Sequence, residues 1–423
     1  MLSGLPAESG AFGGENTPFF LVDPPLFSPI KTRPRFESAN KTVSFRQEIT
    51  DSSLLVKDSY DFSAKESLSR AEVAEDIAVL EYALRHGYIG GKYIDNAIFS
   101  AVLKRLDELA QNTAISSSRD LCNETAKILW NIPDGHLGVG HWDVPGCGTG
   151  VLWPKPGSVG NNVATQREKP WEIQWFKLGA DNIPVVSITR FPSHADLSWT
   201  GFLDSFRLAI AAAPAVVFDL RGNAGGDSAT AAYLAEILYG QAFPYAEESK
   251  KINKTPAAYF LQANYYKTKI LAYQQQGKTP DPSLLDLLDE YLTDAAAARP
   301  DGEETFYFPD YAVNPDKLWK HPIYLLTDRN CGSSGETMVE YFEAHPYAKT
   351  VGDNTRGLVH FGNVGTLTLP NSQVYLQMST TFKTFKDRRF VEKTGYAPRI
   401  RVPDGEDALK YAYDDLARQL TPP

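Results

Sequence analysis

The chain has 423 residues, 43% of them hydrophobic and 22% charged, an ordinary globular composition with length for two or three domains or one large core with insertions. A net charge of −10 and a pI near 5.3 weigh against nucleic acid or an anionic membrane surface as the main partner. Cys122, Cys147 and Cys331 are too few and too scattered for a disulfide framework, and no CxxC pair suggests zinc, so no metal and no cofactor are expected.

The N-terminal stretch lacks the basic and apolar regions of a signal peptide. That reads as cytoplasmic if Met1 is native, and as periplasmic or secreted if a signal was removed. No apolar run is long enough for a membrane span.

In chain order, residues 1–65 are expected to form an extended arm, because residues 1–45 are rich in Pro, Gly and Phe and proline blocks helix. One or two short strands are expected within 46–65. A helical unit follows over 66–133. Ser69 with Glu72 has capping-box spacing, and Val73, Ile77, Leu80 and Leu84 share a face. Further helices are expected over 94–111 and 119–130.

From 134 the chain reads as the main core. Residues 134–190 are β-rich, 202–213 helical, and Ala215–Leu220 is a continuous apolar run suited to a buried parallel strand. That run ends in Arg221-Gly-Asn-Ala-Gly-Gly226, and a helix is expected from Ser228 to Tyr239. Residues 241–318 lack core-strand character and read as a helical insertion or lid, with helices over 257–275 and 284–298. The strand, Gly-rich turn, helix order then repeats at 321–345, which suggests an α/β core. Alternating strands near 364 and 373 and a helix over 404–419 complete the chain.

The stretch Asn330-Cys-Gly-Ser-Ser-Gly-Glu336 joins an apolar strand to a helix. A serine there sits among unpaired N–H groups at the positive end of a helix, a setting for a nucleophile. It equally suits an N-cap, with Glu336 in the acidic first turn. Cys331 is a competing nucleophile, although buried free cysteine is the commoner outcome. The loop at 221–226 has neither GxxxxGK[ST] nor GxGxxG, so it reads either as a tight turn or as an array of outward N–H groups. His136, on a Gly-flanked turn, competes with His141. Glu392 reads by default as a solvent-facing strand residue.

Taken together, Asp134-Gly-His136, Asp219-Leu-Arg-Gly-Asn-Ala-Gly-Gly226, Ser333-Ser-Gly-Glu336, Val351-Gly-Asp-Asn-Thr-Arg-Gly357 and Val391-Glu-Lys-Thr-Gly-Tyr-Ala-Pro398 resemble the C-terminal processing peptidases. Within that family the set is similar to the branch of the tricorn core and the chlamydial protease. The resemblance implies an α/β, crotonase-like ββα core and metal-free hydrolysis of peptides or proteins. It assigns Ser333 as nucleophile, His136 as general base and Glu392 as the group orienting the histidine. Gly225, Gly226 and Ser334 would supply the oxyanion hole.

Leu358 stands where the processing branch has its catalytic lysine, and Gly135 stands where tricorn has an assisting serine. Ala224 and Arg399 also depart from the family pattern. The span 137–187 is too short for the PDZ domain of the processing branch. Oligomerisation is possible. Two alternatives keep the scaffold: an apolar-ligand carrier, whose pocket Trp142, Trp153, Trp171 and Trp175 would line, and a non-peptide acyl hydrolase using the same triad.

Overall fold

The computed structural model describes residues 49–58, 61–148, 170–193 and 196–420. Most of the expected arm, and Trp153, lie outside the described residues. Within 46–65 the described residues form no strand; Asp51–Leu54 is a single 3-10 turn instead.

The helical unit comprises α1 (Arg70–His86), α2 (Gly90–Tyr93), α3 (Asn96–Ala110) and α4 (Ser118–Leu129). The capping box at Ser69 forms as its spacing predicts: Ser69 Oγ accepts the Glu72 N–H at 3.3 Å and Glu72 Oε2 accepts the Ser69 N–H at 2.7 Å. The apolar faces of α1, α3 and α4 pack with Leu367, Leu376 and Met378 in one core.

Although the cysteines read as too few and too scattered for a disulfide framework, Cys122 and Cys147 form a disulfide. It ties α4 to the turn after β1 (Gly138–Gly140), and its loop of chain includes residue 136. A sequence separation of 25 carries no pairing signal; only the packing of the helical unit on β1 brings the two together. Cys331 is free and buried, as expected.

The core continues with β2 (Trp171–Leu178), β3 (Asp181–Ile188), α5 (Leu197–Ile210), β4 (Val216–Asp219) and α6 (Ser228–Tyr239). Then come β5 (Glu247–Asn253), α7 (Pro256–Gln275), α8 (Pro282–Ala297), β6 (Glu303–Tyr307), β7 (Ile323–Thr327) and α9 (Ser334–Phe342). The chain ends with β8 (Ala348–Gly352), β9 (Phe361–Thr368), β10 (Tyr375–Phe385), β11 (Ile400–Arg401) and α10 (Ala408–Leu420).

Two sheets result. One has the order β11-β8-β7-β4-β3-β2, parallel except where β2 runs antiparallel to β3. Strand periodicity gives it two buried faces: Val186, Ile188 and Phe218 pack with α5, α6 and α9, whereas Val185, Val217 and Leu326 pack with α10. The other is antiparallel, with β10 at its centre against β1, β5 and β9, and β6 at the edge beyond β5. The protein is thus α/β, with the turns leaving β4 and β7 next to one another in the parallel sheet.

Residues 241–318 differ from the purely helical insertion read from the sequence, because β5 pairs with both β10 and β6. The polar, lysine-rich Glu247–Asn253 segment concealed a strand whose partners lie about 50 residues on, in β6, and about 130 residues on, in β10. Asn253 Nδ2 donates to Gly87 O at 2.9 Å and Thr255 Oγ1 to His86 O at 2.7 Å, which fastens the start of α7 to α1. Only α8 stays peripheral, with Ala295 as its single buried residue.

The three described tryptophans of that set do not share a pocket. Trp142 packs on Phe62 and Tyr375, Trp171 packs on Trp199, and Trp175 is exposed.

Candidate functional site

Where β7 ends, the chain turns into α9 through Ser333, which has φ 55° and ψ −122°. A non-glycine residue with positive φ is strained and persists only where its surroundings over-determine it. The determinant is Glu336, fully buried one turn on. Its Oε2 accepts the N–H groups of Ser333 (3.1 Å) and Leu358 (2.6 Å). Its Oε1 accepts Thr355 Oγ1 (2.5 Å) and the Gly357 N–H (2.7 Å). The acidic first-turn residue of the sequence reading is therefore a clamp between the serine turn and the 355–358 loop. Burial pushes its carboxyl upward, and the four donors pull it back.

The Gly-rich loop after β4 lies directly against this serine. Gly225 has φ +95°, and a Cβ placed on it would sit 2.7 Å from Ser333 Cβ and 3.1 Å from Ser333 Oγ. Only glycine allows both the backbone and the approach. The Gly332 N–H donates to Asn223 O at 2.9 Å, and Ser334 Oγ donates to Gly226 O at 2.7 Å, so the two turns are laced together. The Gly225 N–H, however, donates to Asn223 Oδ1 at 2.8 Å. Asn223, whose Nδ2 is anchored on Ile188 O at 2.8 Å, was not singled out by the sequence.

The histidine turn begins with Asp134, whose Oδ1 accepts the N–H groups of His136 (2.7 Å) and Leu137 (3.2 Å). This is the local side-chain turn that an Asp two residues before its donor favours. Asp134 Oδ2 accepts the Tyr88 hydroxyl at 3.0 Å. Glu392 is not on a solvent-facing strand; it is buried in a turn, 4% exposed. Its Oε1 accepts the Gly135 N–H (2.7 Å), and its Oε2 accepts the N–H groups of Val359 (3.0 Å) and His360 (2.7 Å). Asp134, His136 and Glu392 each bring a ligand-type atom within 4.8 Å of the others. The His136 ring is buried, and its Nδ1 has no hydrogen-bond partner.

These charges disturb one another. Burial raises both carboxyls, and the neighbouring Asp134 pushes Glu392 further up. Burial pushes the His136 ring down to about 4, with Arg356 and Lys383 adding in the same direction. Lys383 is itself buried between Glu340 (2.6 Å) and Glu247 (3.4 Å).

One side chain separates the serine half from the histidine half. A Cβ on Gly135 would meet Leu358 Cδ2 at 2.6 Å, and one on Gly332 would meet Leu358 Cδ1 at 2.9 Å. The residue in place of a catalytic lysine is therefore a buried apolar wedge between the two turns. A Cβ on Gly135 would also lie 2.8 Å from Gly357 O and 3.1 Å from Glu392 Oε1, so an assisting serine has no room there.

The competitors fall away on contacts. His141 has Nε2 on Ser372 O (3.0 Å) and Nδ1 accepting the Asp143 N–H (3.0 Å). Burial raises the Cys331 thiol well above its ordinary range, with Glu336 opposing the thiolate.

A sequence model of Peptidase family S41 matches residues 182–402, just over half of the chain, and the protein belongs to that family. It is a serine-type peptidase, a hydrolase. No curated protein matches the chain.

Among solved structures, a serine-to-alanine mutant of CPAF aligns with TM-score 0.52 at 12% identity, covering 83% of this chain and 96% of that one. Mature CPAF complexed with lactacystin aligns at 0.49 and 11%, covering 83% and 97%. A candidate peptidase from Parabacteroides merdae aligns at 0.48 and 14%, with the same coverage. At 12% identity the first of these shows a shared fold and nothing finer.

Proposed function

We propose that this peptidase cleaves peptide bonds through an acyl-enzyme formed on Ser333, with His136 as general base and Glu392 orienting the histidine. The observation that carries the reading is the strained Ser333 backbone, held by Glu336 against a glycine loop that leaves its Oγ clear. In the reaction His136 takes the Ser333 proton as Oγ attacks the carbonyl, then returns it to the leaving amine; water repeats the sequence on the ester. Glu392 stabilises the imidazolium formed in between. Closing the triad requires two movements: the partnerless Nδ1 of His136 must donate to a carboxylate of this cluster, and Leu358 must yield so that the other ring nitrogen reaches Ser333 Oγ.

The oxyanion hole needs one revision. With the Gly225 N–H on Asn223, the N–H groups of Gly226 and Ser334 are assigned as donors, and Gly225 supplies clearance. One such donor is typically worth about 3 kcal/mol of barrier.

The substrate class is peptide or protein. The carrier alternative is weakened because Trp142, Trp171 and Trp175 pack apart from one another, while the acyl-hydrolase alternative differs only in substrate. A peptide library and short-chain esters decide between them: peptide turnover that disappears in both Ser333→Ala and His136→Ala supports the reading. Ester turnover with no cleaved peptide would replace it.

A further inference from the structure

The base turn has the makings of a cation site as well as of a charge relay. Among the described residues, Asp134, His136 and Glu392 are the one group of three His, Cys, Asp or Glu side chains spaced closely enough to hold an ion. All three are at least nine-tenths buried, and His136 Nδ1 is buried with no hydrogen-bond partner. We propose that these three side chains take up one zinc-type divalent cation, and that its binding switches the peptidase off.

The ligand chemistry favours zinc. One imidazole and two carboxylates form an N/O set of the kind zinc accepts at three protein ligands, with a fourth position left to water. Magnesium and calcium require six or more oxygens, which this pocket does not offer. Tetrahedral bonds of about 2.1 Å put ligand atoms about 3.4 Å apart, so the 4.8 Å spacing closes by a little over 1 Å.

The outer contacts that orient metal ligands are in place. Asp134 is fixed by two N–H groups and the Tyr88 hydroxyl, and Glu392 by three N–H groups. Of the two cations acting on His136, Lys383 is neutralised by Glu340 and Glu247. Binding the cation releases the proton shared by the carboxyl pair, and the two carboxylates so formed then outweigh Arg356.

The inhibitory consequence rests on the triad reading. A cation on Nδ1 holds the ring in the tautomer whose proton is on Nε2. That nitrogen then has no lone pair for the Ser333 proton, and Glu392 is withdrawn from the relay. The ion leaves when it is chelated, so the block is reversible and no bond in the protein changes.

The test uses the full chain stripped with EDTA. Zn2+ binding is read by competition with a chromophoric chelator, and Co2+ by its visible absorption. One equivalent of metal is expected, with Co2+ bands absent from Asp134→Asn and from Glu392→Gln but kept in Ser333→Ala. One equivalent of Zn2+ should lower peptide hydrolysis at least about tenfold, and EDTA should restore it. Micromolar Zn2+ without binding, or binding undiminished in both carboxylate variants, overturns the proposal.

Phosphonate labelling of the metal-free protein separates the two readings. Label on Ser333 with no metal effect sinks the cation site alone. Co2+ bound at the cluster with Ser333 unlabelled sinks the triad and leaves the site.

Discussion

The two halves of the site are built in opposite ways. Around Ser333 directed hydrogen bonds lace the turns together, with Glu336 serving four donors at once. Around His136 two carboxyls are buried side by side, and the ring between them has an unpartnered nitrogen. The serine half is prepared in its geometry, and the histidine half is poised in its charge. Damage to the first should appear as lost activity or lost fold. Changes to the second should appear as altered pH dependence.

The largest expected effect is at Ser333 itself. Ser333→Ala should lower kcat by about 10⁴-fold or more, because members of a triad act as a unit. Thermal unfolding should be nearly unchanged; a matching loss of stability would mean the serine is chiefly a helix cap.

Glu336→Ala comes next and acts differently. It strands the N–H groups of Ser333, Gly357 and Leu358 and the Thr355 hydroxyl in a dry interior. Removing one partner of a buried charged network typically costs about 3–5 kcal/mol, measurable by urea unfolding. Wild-type stability in this variant would show that the clamp is not what holds the strained turn.

Gly225→Ala is a more local probe. At φ +95° and 2.7 Å from Ser333 Cβ, the added methyl must push the serine aside. A fall of about 100-fold in kcat/KM is expected, with the fold retained by circular dichroism.

The smallest effects test the charged half through pH. His136 is held down to about 4, so it stays neutral through mild acid and does not set a limb near the ordinary histidine value. The raised Asp134–Glu392 pair sets the limb instead, with kcat/KM climbing as the pair loses its proton near neutrality. Asp134→Asn removes the like charge and should move that climb to lower pH.

Stability follows the same signs. The two raised carboxyls contribute stability that is full below the ordinary carboxylate range and declines as pH rises through their raised values. The depressed His136 contributes stability that is present above about 6.5 and declines as pH falls through about 4. Urea midpoints across this range, for wild type and Asp134→Asn, check both.

Much of the fold was legible because its signals are local. The Ser69 capping box, the apolar Ala215–Leu220 run and the paired strand, glycine turn, helix orders each became the expected element. β5 was hidden because its hydrogen bonds go to distant strands while its side chains are polar. The Cys122–Cys147 pairing was hidden for a similar reason, since only tertiary packing makes the two neighbours.

Within the site, the spacing of Ser333 to Glu336 pointed to this turn but not to the clamp, which depends on a loop about 20 residues on. The Asp134–Glu392 proximity and the engagement of the Gly225 N–H by Asn223 are properties of folded loops and left no periodic trace.

Labelling of the metal-free protein with an organophosphonate, followed by mapping of the adduct by mass spectrometry, reports directly which side chain is the nucleophile. A single adduct on Ser333, much slowed in His136→Ala and in Glu392→Gln, is the predicted result. An adduct on Ser334 or Cys331, or labelling at an unchanged rate in His136→Ala, would contradict the account.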